Sequence, residues 1–192
     1  PTNKIRLPVN KENVIKSGLV KKEDSDLILD YIDIDLPESI ITKNQIMMLD
    51  ILANNNWERP IYFTGGSYEE SEYIWMKDYL QLDGLVYKLV PIKTSIENNP
   101  YEMGRIDSDL MYDIVKKWSW GNSESDEIYH DPETRKNSIS FRGNLSRLSE
   151  KLISEGEYEK AEEILDLAFS KMPIDYYAVS YTHLTLPTTE YV

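Results

Sequence analysis

Trp57-Glu-Arg-Pro-Ile-Tyr-Phe-Thr-Gly-Gly-Ser67, then Lys77-Asp-Tyr-Leu-Gln-Leu-Asp-Gly84 and Leu85-Val-Tyr-Lys-Leu-Val-Pro-Ile92, form the stretch whose reading decides the fold. Pro60 lacks a backbone donor, so it belongs at the start or edge of a strand; residues 61–64 continue that strand and Gly65-Gly66 turns the chain. Residues 85–92 supply another strand, with Pro91 marking its exit. Upstream, Ile28, Ile32, Ile34 and Leu36 share one parity while Tyr31, Asp33 and Asp35 share the other. This is the alternation of a half-buried strand, ended by Pro37. Residues 4–9 alternate more weakly. Between the strands, Thr42-Lys-Asn-Gln45 has the form of a capping box, in which hydroxyl and amide each satisfy an orphan backbone N–H. The almost wholly apolar residues 46–53 predict a helix sandwiched between other elements. Asn54-Asn-Asn56 stops it, because Asn tolerates the left-handed cap geometry. Strand, helix, strand in this order predicts a crossover unit with neighbouring parallel strands.

Downstream, Asp107 is placed as the N-cap of a helix running to about Trp118, with Leu110, Met111, Ile114 and Val115 on one face. Residues 121–134 read as a polar loop. A helical hairpin follows over residues 139–155 and 158–172, broken at Gly156 and closed by Pro173. Gly156, Tyr158, Ala161, Leu165, Ala168 and Pro173 fall at the tetratricopeptide spacing. One unit of that kind cannot bury its own face, so it must pack on other structure. The expected fold is therefore α/β: a small mixed or parallel sheet with flanking helices over residues 1–121, a linker over 122–137 and a tetratricopeptide-like hairpin over 138–177. Residues 178–188 resemble the in-frame translation of a transposase-type sequencing adapter, and residues 178–192 are read as a non-native tail.

Composition narrows the functional classes. A hydrophobic content of 41% with 14 Tyr and 4 Trp describes a folded domain. A formal net charge of -13 repels nucleic-acid phosphates and anionic lipid headgroups, so neither is an expected partner. No apolar run is long enough to span a bilayer, and direct membrane insertion by this segment is not expected. The absence of cysteine removes disulfides and thiolate metal sites. No cofactor or metal site is read from the chain.

Several constellations invite a catalytic reading. Asp33-Ile-Asp35 has the Asp-x-Asp form that holds a divalent cation and diphosphate in nucleotide-sugar transferases. Asp24-Ser-Asp26 and Asp107-Ser-Asp109 share it, and three matches are unsurprising among 34 acids; a solvated strand face explains Asp33 and Asp35 better. Gly65-Gly66-Ser67 lacks phosphate-loop spacing and is followed by Glu69, Glu70 and Glu72, so it reads as a turn. His130-Asp131 with Ser138 or Ser140 lacks a nucleophile elbow and reads as a surface loop. Trp75, Tyr79, Trp118 and Trp120, with Tyr62, Tyr68 and Tyr73, can stack on sugar rings; they serve equally as core or interface packing, the commoner role. Arg135, Lys136, Arg142 and Arg147 form a basic island that suits an acidic partner or a lipid-linked phosphate, or pairing with Glu150, Glu155 and their neighbours. The residues taken forward as sugar or partner contacts are Trp75, Tyr79, Trp118, Trp120, Arg142 and Arg147.

Residues 59–63, 78–91 and 117–121, together with the hairpin, resemble the C-terminal soluble region of the domain of unknown function (DUF) 2723 family. These are bacterial multi-pass membrane proteins classed with glycosyltransferases of the protein O-mannosyltransferase type. The resemblance runs from about Lys4 to Tyr177. It implies a transmembrane bundle upstream of Pro1, where transfer from a lipid-linked sugar would take place, and a periplasmic soluble domain downstream. On that reading this chain is a fragment, itself non-catalytic, that positions an acceptor protein or glycan and has the transmembrane portion of its parent as first partner. The alternative is a free-standing interaction module that binds a protein through the hairpin, with further repeats beyond Tyr177.

Overall fold

The computed structural model describes residues 4–36, 41–64, 74–94 and 103–177. The chain separates into two compact units, Pro1–Arg105 and Ile106–Val192. No helix among the described residues is long and apolar enough to cross a membrane.

The first unit is built on two small sheets. Strand β1 (Lys4–Pro8) leads through the short helix α1 (Lys11–Lys16) and a 3₁₀ segment, Lys22–Leu27, into β2 (Tyr31–Asp35). β1 and β2 pair antiparallel, with Ile5 opposite Ile34 and Leu7 opposite Ile32. The parity read from the sequence holds: Ile32 and Ile34 are fully buried and Tyr31 and Asp35 exposed. The next helix, α2 (Lys43–Asn55), starts at the expected capping box and ends at Asn56 in the left-handed region, φ 46°.

Its burial differs from the sandwiched helix that the apolar run predicts. Gln45, Met48, Leu49 and Leu52 form the inward i, i+3, i+4, i+7 stripe, and Gln45 alone of these is fully buried. Ile46, Met47 and Ile51 lie between those positions and are 56%, 57% and 57% exposed. Asp50 is the one polar residue between Ile46 and Ala53, so the sequence offers little polar contrast to show which stripe faces inward.

The second sheet contains β3 (Tyr62–Thr64), β4 (Leu80–Asp83) and β5 (Val86–Leu89) in the order β3-β5-β4. All its pairings are antiparallel, so the expected crossover with parallel strands is replaced by two separate antiparallel sheets. The mixed α/β class and the C-terminal hairpin are as expected. The reason for the change is local. Asp83 pairs with Val86 across a two-residue loop, and Gly84 at its first central position has φ 70°, as in a type II′ turn. A tight hairpin forces antiparallel neighbours, and β3 then joins the free side of β5. On the outer edge of β4, Arg105 donates to the Leu80 carbonyl (2.9 Å) and accepts from Leu82 (2.8 Å), a single parallel bridge.

Hydrogen bonds between distant segments tie this unit together. Asp33 N–H donates to the Tyr79 hydroxyl (3.1 Å), Leu29 N–H to the Pro91 carbonyl (3.0 Å) and Trp57 Nε1 to the Pro8 carbonyl (2.8 Å).

The second unit is helical. Asp107 caps α3 (Ser108–Lys116) by accepting from Leu110 N–H. Helix α4 (Pro132–Ser154) starts earlier than periodicity alone suggests, because Asp131 accepts from the N–H groups of Glu133 and Thr134 and Pro132 occupies the first turn. Gly156, φ 83°, makes the left-handed turn into α5 (Tyr158–Lys171). Leu145, Leu148, Leu152 and Ile164 are fully buried, each worth about 1.5–3 kcal/mol in apolar transfer, and Ala161 and Ala168 permit the close approach expected at tetratricopeptide positions. Helix α3 is tied to this pair: Ser108 Oγ donates to Glu155 (2.5 Å), and Glu163 receives both the Tyr112 hydroxyl and Lys116 Nζ.

Candidate functional site

The acid pair of the first unit is engaged by cations. Arg6 donates to both oxygens of Asp33, from Nε at 2.7 Å and Nη2 at 2.9 Å, and Lys4 lies 3.2 Å from Asp35. The bidentate Arg6 bond holds the Asp33 carboxyl below the usual carboxylate range. Asp24 pairs with Arg105 at 2.6 Å, and Asp107 is a helix cap. Among the described residues no group of three His, Cys, Asp or Glu side chains is placed to hold a metal ion.

The serine-histidine pattern dissolves in the same way. The His130 ring packs against Tyr176 and Tyr177, with centroids 5.9 and 5.7 Å away. Asp131 caps α4, and the Ser138 hydroxyl donates to the Arg135 carbonyl. Gly65, Gly66, Ser67, Tyr68, Tyr73 and the tail from Ala178 lie outside the described residues.

The residues singled out for sugar or partner contact divide between the units. Tyr79 is buried in the first unit, where its hydroxyl accepts from Asp33, and Trp75 is half-buried there. Trp118, Trp120, Arg142 and Arg147 belong to the second unit. Arg142 reaches inward to the Met172 carbonyl, and burial lowers its pKa; Arg135 sits over the Tyr176 ring at 5.1 Å. Two members of the basic island thus hold the turn after α5, and Arg147 is half-buried.

Trp118 and Trp120 line a cleft. Trp118 N–H bonds the Val115 carbonyl (3.1 Å), closing α3. Gly121 and Asn122, both at φ 59°, turn the chain back on itself, and Ser123 N–H bonds the Trp120 carbonyl (3.0 Å). The loop is then pinned to the end of α5: Ser123 Oγ donates to the Lys171 carbonyl and the Tyr177 hydroxyl donates to the Ser123 carbonyl, both at 2.7 Å. Trp118 meets Phe141 of α4 edge-on at 5.9 Å, and Trp120 meets Trp118 edge-on at 5.3 Å with planes 62° apart.

A cleft of about 640 Å³ lies against these rings, reaching Leu167 and Lys171 of α5. Ser119, Asn122 and Glu124 add polar atoms to its wall, and Lys116 stands at one side. Both lysines carry a counter-charge: Lys171 is 2.5 Å from Glu124, and Lys116 bonds Glu163. Those bonds hold Glu124 and Glu163 below the usual carboxylate range. The tryptophans are visible in the sequence; Leu167 and Lys171, about fifty residues away, are not. The Gly121-Asn122 turn dipeptide directly after Trp118-Ser-Trp120 was the available signal.

A second cluster has no counterpart in the sequence reading. Along the second sheet, Tyr62, Lys88 and Gln81 form one cross-strand row and Thr64, Val86 and Asp83 the next on the same face. Lys88 Nζ lies 2.9 Å from Asp83, which also accepts from Gln81 Nε2 at 2.8 Å, and all three side chains are buried. Burial and the Asp83 charge raise the pKa of Tyr62. Nothing in the sequence marks Gln81, Asp83 and Lys88 as side chains that are buried together.

Residues 1–110 match the model of a family described as TMEM260-associated domain 2, more than half of the chain and the whole of the first unit. No curated protein matches the chain, and no solved structure does.

Proposed function

The chain belongs to the TMEM260-associated domain 2 family, and from that premise we propose that it is an accessory domain of a membrane-bound glycosyltransferase, non-catalytic in itself. The family match carries the reading, since it links the first unit to a membrane protein. The resemblance to the DUF 2723 family supplies the finer part: transfer from a lipid-linked sugar by a transmembrane bundle, with this domain at the periplasmic face holding the acceptor. The engagement of Asp33 by Arg6 and of Asp35 by Lys4 supports a structural role for the Asp-x-Asp pair. The pinned aromatic cleft of the second unit suits a domain that binds.

The test is made in the intact parent protein. Deletion of residues 1–177 should abolish sugar transfer to the acceptor while turnover of the lipid-linked donor to water persists. Unchanged transfer after the deletion would overturn the accessory role, and loss of donor turnover would place catalytic groups in this domain.

A further inference from the structure

We propose that the Trp118–Trp120 cleft is a binding site for a neutral saccharide. It lies beyond the residues matched by the family, so it is argued from its own chemistry. The proposal deepens the accessory role by naming what the domain holds, and its test reads binding apart from transfer.

Two half-buried indole rings line one wall, at an interplanar angle of 62°, so they present two separate faces and not one sandwich. An indole face takes the C–H face of a pyranose ring. Around the rings stand groups that match hydroxyls: the Asn122 amide donates and accepts, Ser119 does both, and Glu124 accepts. The size, about 640 Å³, falls in the range of small-ligand sites. The loop is held before any ligand arrives, at its start by Trp118 N–H on the Val115 carbonyl and at its end by two bonds at Ser123, to Lys171 and from Tyr177, which limits the ordering cost of binding.

Charge decides between ligand classes. Each lysine at the cleft is already neutralised, Lys171 by Glu124 and Lys116 by Glu163, in a chain of net charge -13. A phosphate or sulfated ligand would find no uncompensated cation there. A proline-rich peptide seeks an apolar aromatic groove, whereas five of the lining side chains here are polar.

The test uses the full 192-residue chain. Mannotriose, cellotriose and tri-N-acetylchitotriose are titrated by calorimetry and tryptophan fluorescence, with inorganic phosphate and a proline-rich peptide as comparators. At least one trisaccharide should bind saturably, with an affinity that about 0.5 M NaCl leaves unchanged. Trp120→Ala should weaken it by about tenfold or more, the scale of one lost aromatic stacking contact. Asn122→Gly, which keeps the left-handed backbone, should weaken it several-fold without altering the circular dichroism, so the test survives if Trp120→Ala fails to fold. No saturable trisaccharide binding, equal binding by the folded variants, or saturation of the cleft by phosphate or the peptide alone would each overturn the assignment.

Discussion

Replacing Asp83 by Ala should unfold the first unit far more readily than loss of any surface charge. Lys88 and Asp83 side chains are only 4% and 5% exposed, and their ion pair spans 2.9 Å. Removing the carboxylate leaves an ammonium buried without its counter-charge, which costs about 3–5 kcal/mol. It also takes the acceptor from Gln81 Nε2, adding about 1–3 kcal/mol if that amide stays dry. For a unit of this length the lower figure alone corresponds to a fall in Tm of more than about 10 °C. Urea denaturation at neutral pH, followed by far-ultraviolet circular dichroism, measures it. The sharper arm combines Gln81→Leu, Asp83→Leu and Lys88→Met. Replacing the whole buried polar group with apolar side chains should recover most of the loss, because the desolvation cost disappears with the charges. A loss below about 1 kcal/mol in Asp83→Ala would mean that the pair behaves as a solvated one and that its burial carries no such cost.

Three further outcomes follow from single contacts. Trp57→Phe removes the Nε1 bond to the Pro8 carbonyl and should cost about 0.5–1.5 kcal/mol by chemical denaturation, the net worth of one part-buried hydrogen bond. Gly104→Ala should cost more than Gly156→Ala in thermal melts. Both glycines have φ 83° and carry the left-handed penalty of about 1–2 kcal/mol, but only at Gly104 would a Cβ meet the Tyr87 ring, at 3.2 Å, and the Leu80 carbonyl. Asp33→Asn should flatten the acid limb of the stability curve. The folded pKa of Asp33 is depressed by Arg6, so its contribution is complete above the ordinary carboxylate pKa of about 4 and is lost as pH falls below it; a parallel acid limb in the variant would contradict the pairing.

Local signals were legible where one side chain dictates backbone geometry. The Thr42–Gln45 box, the Asn56 stop, the Asp107 cap and the Ile32–Ile34 parity each appear as written in the chain. What escaped depends on partners distant in sequence. The inward stripe of α2 is poorly marked in a run whose one polar residue is Asp50, and the polar parity of β4 reads as solvated although Gln81 and Asp83 are buried beside Lys88. Strand direction followed the Gly84 turn, a local cue overruled by the strand-helix-strand order. In the candidate site, Trp118 and Trp120 stood out as aromatics, whereas the cleft exists only because Ser123 and Tyr177 fold the loop onto α5.

We infer that this domain works as part of a membrane protein. Long-read sequencing of the source gene through both ends of the reading frame tests it most directly. Several apolar runs of about 20 residues, each long enough to span a bilayer, are expected to be encoded upstream of Pro1. A start codon immediately before Pro1, with further helical repeats encoded after Tyr177, would contradict it and leave a free-standing partner-binding protein.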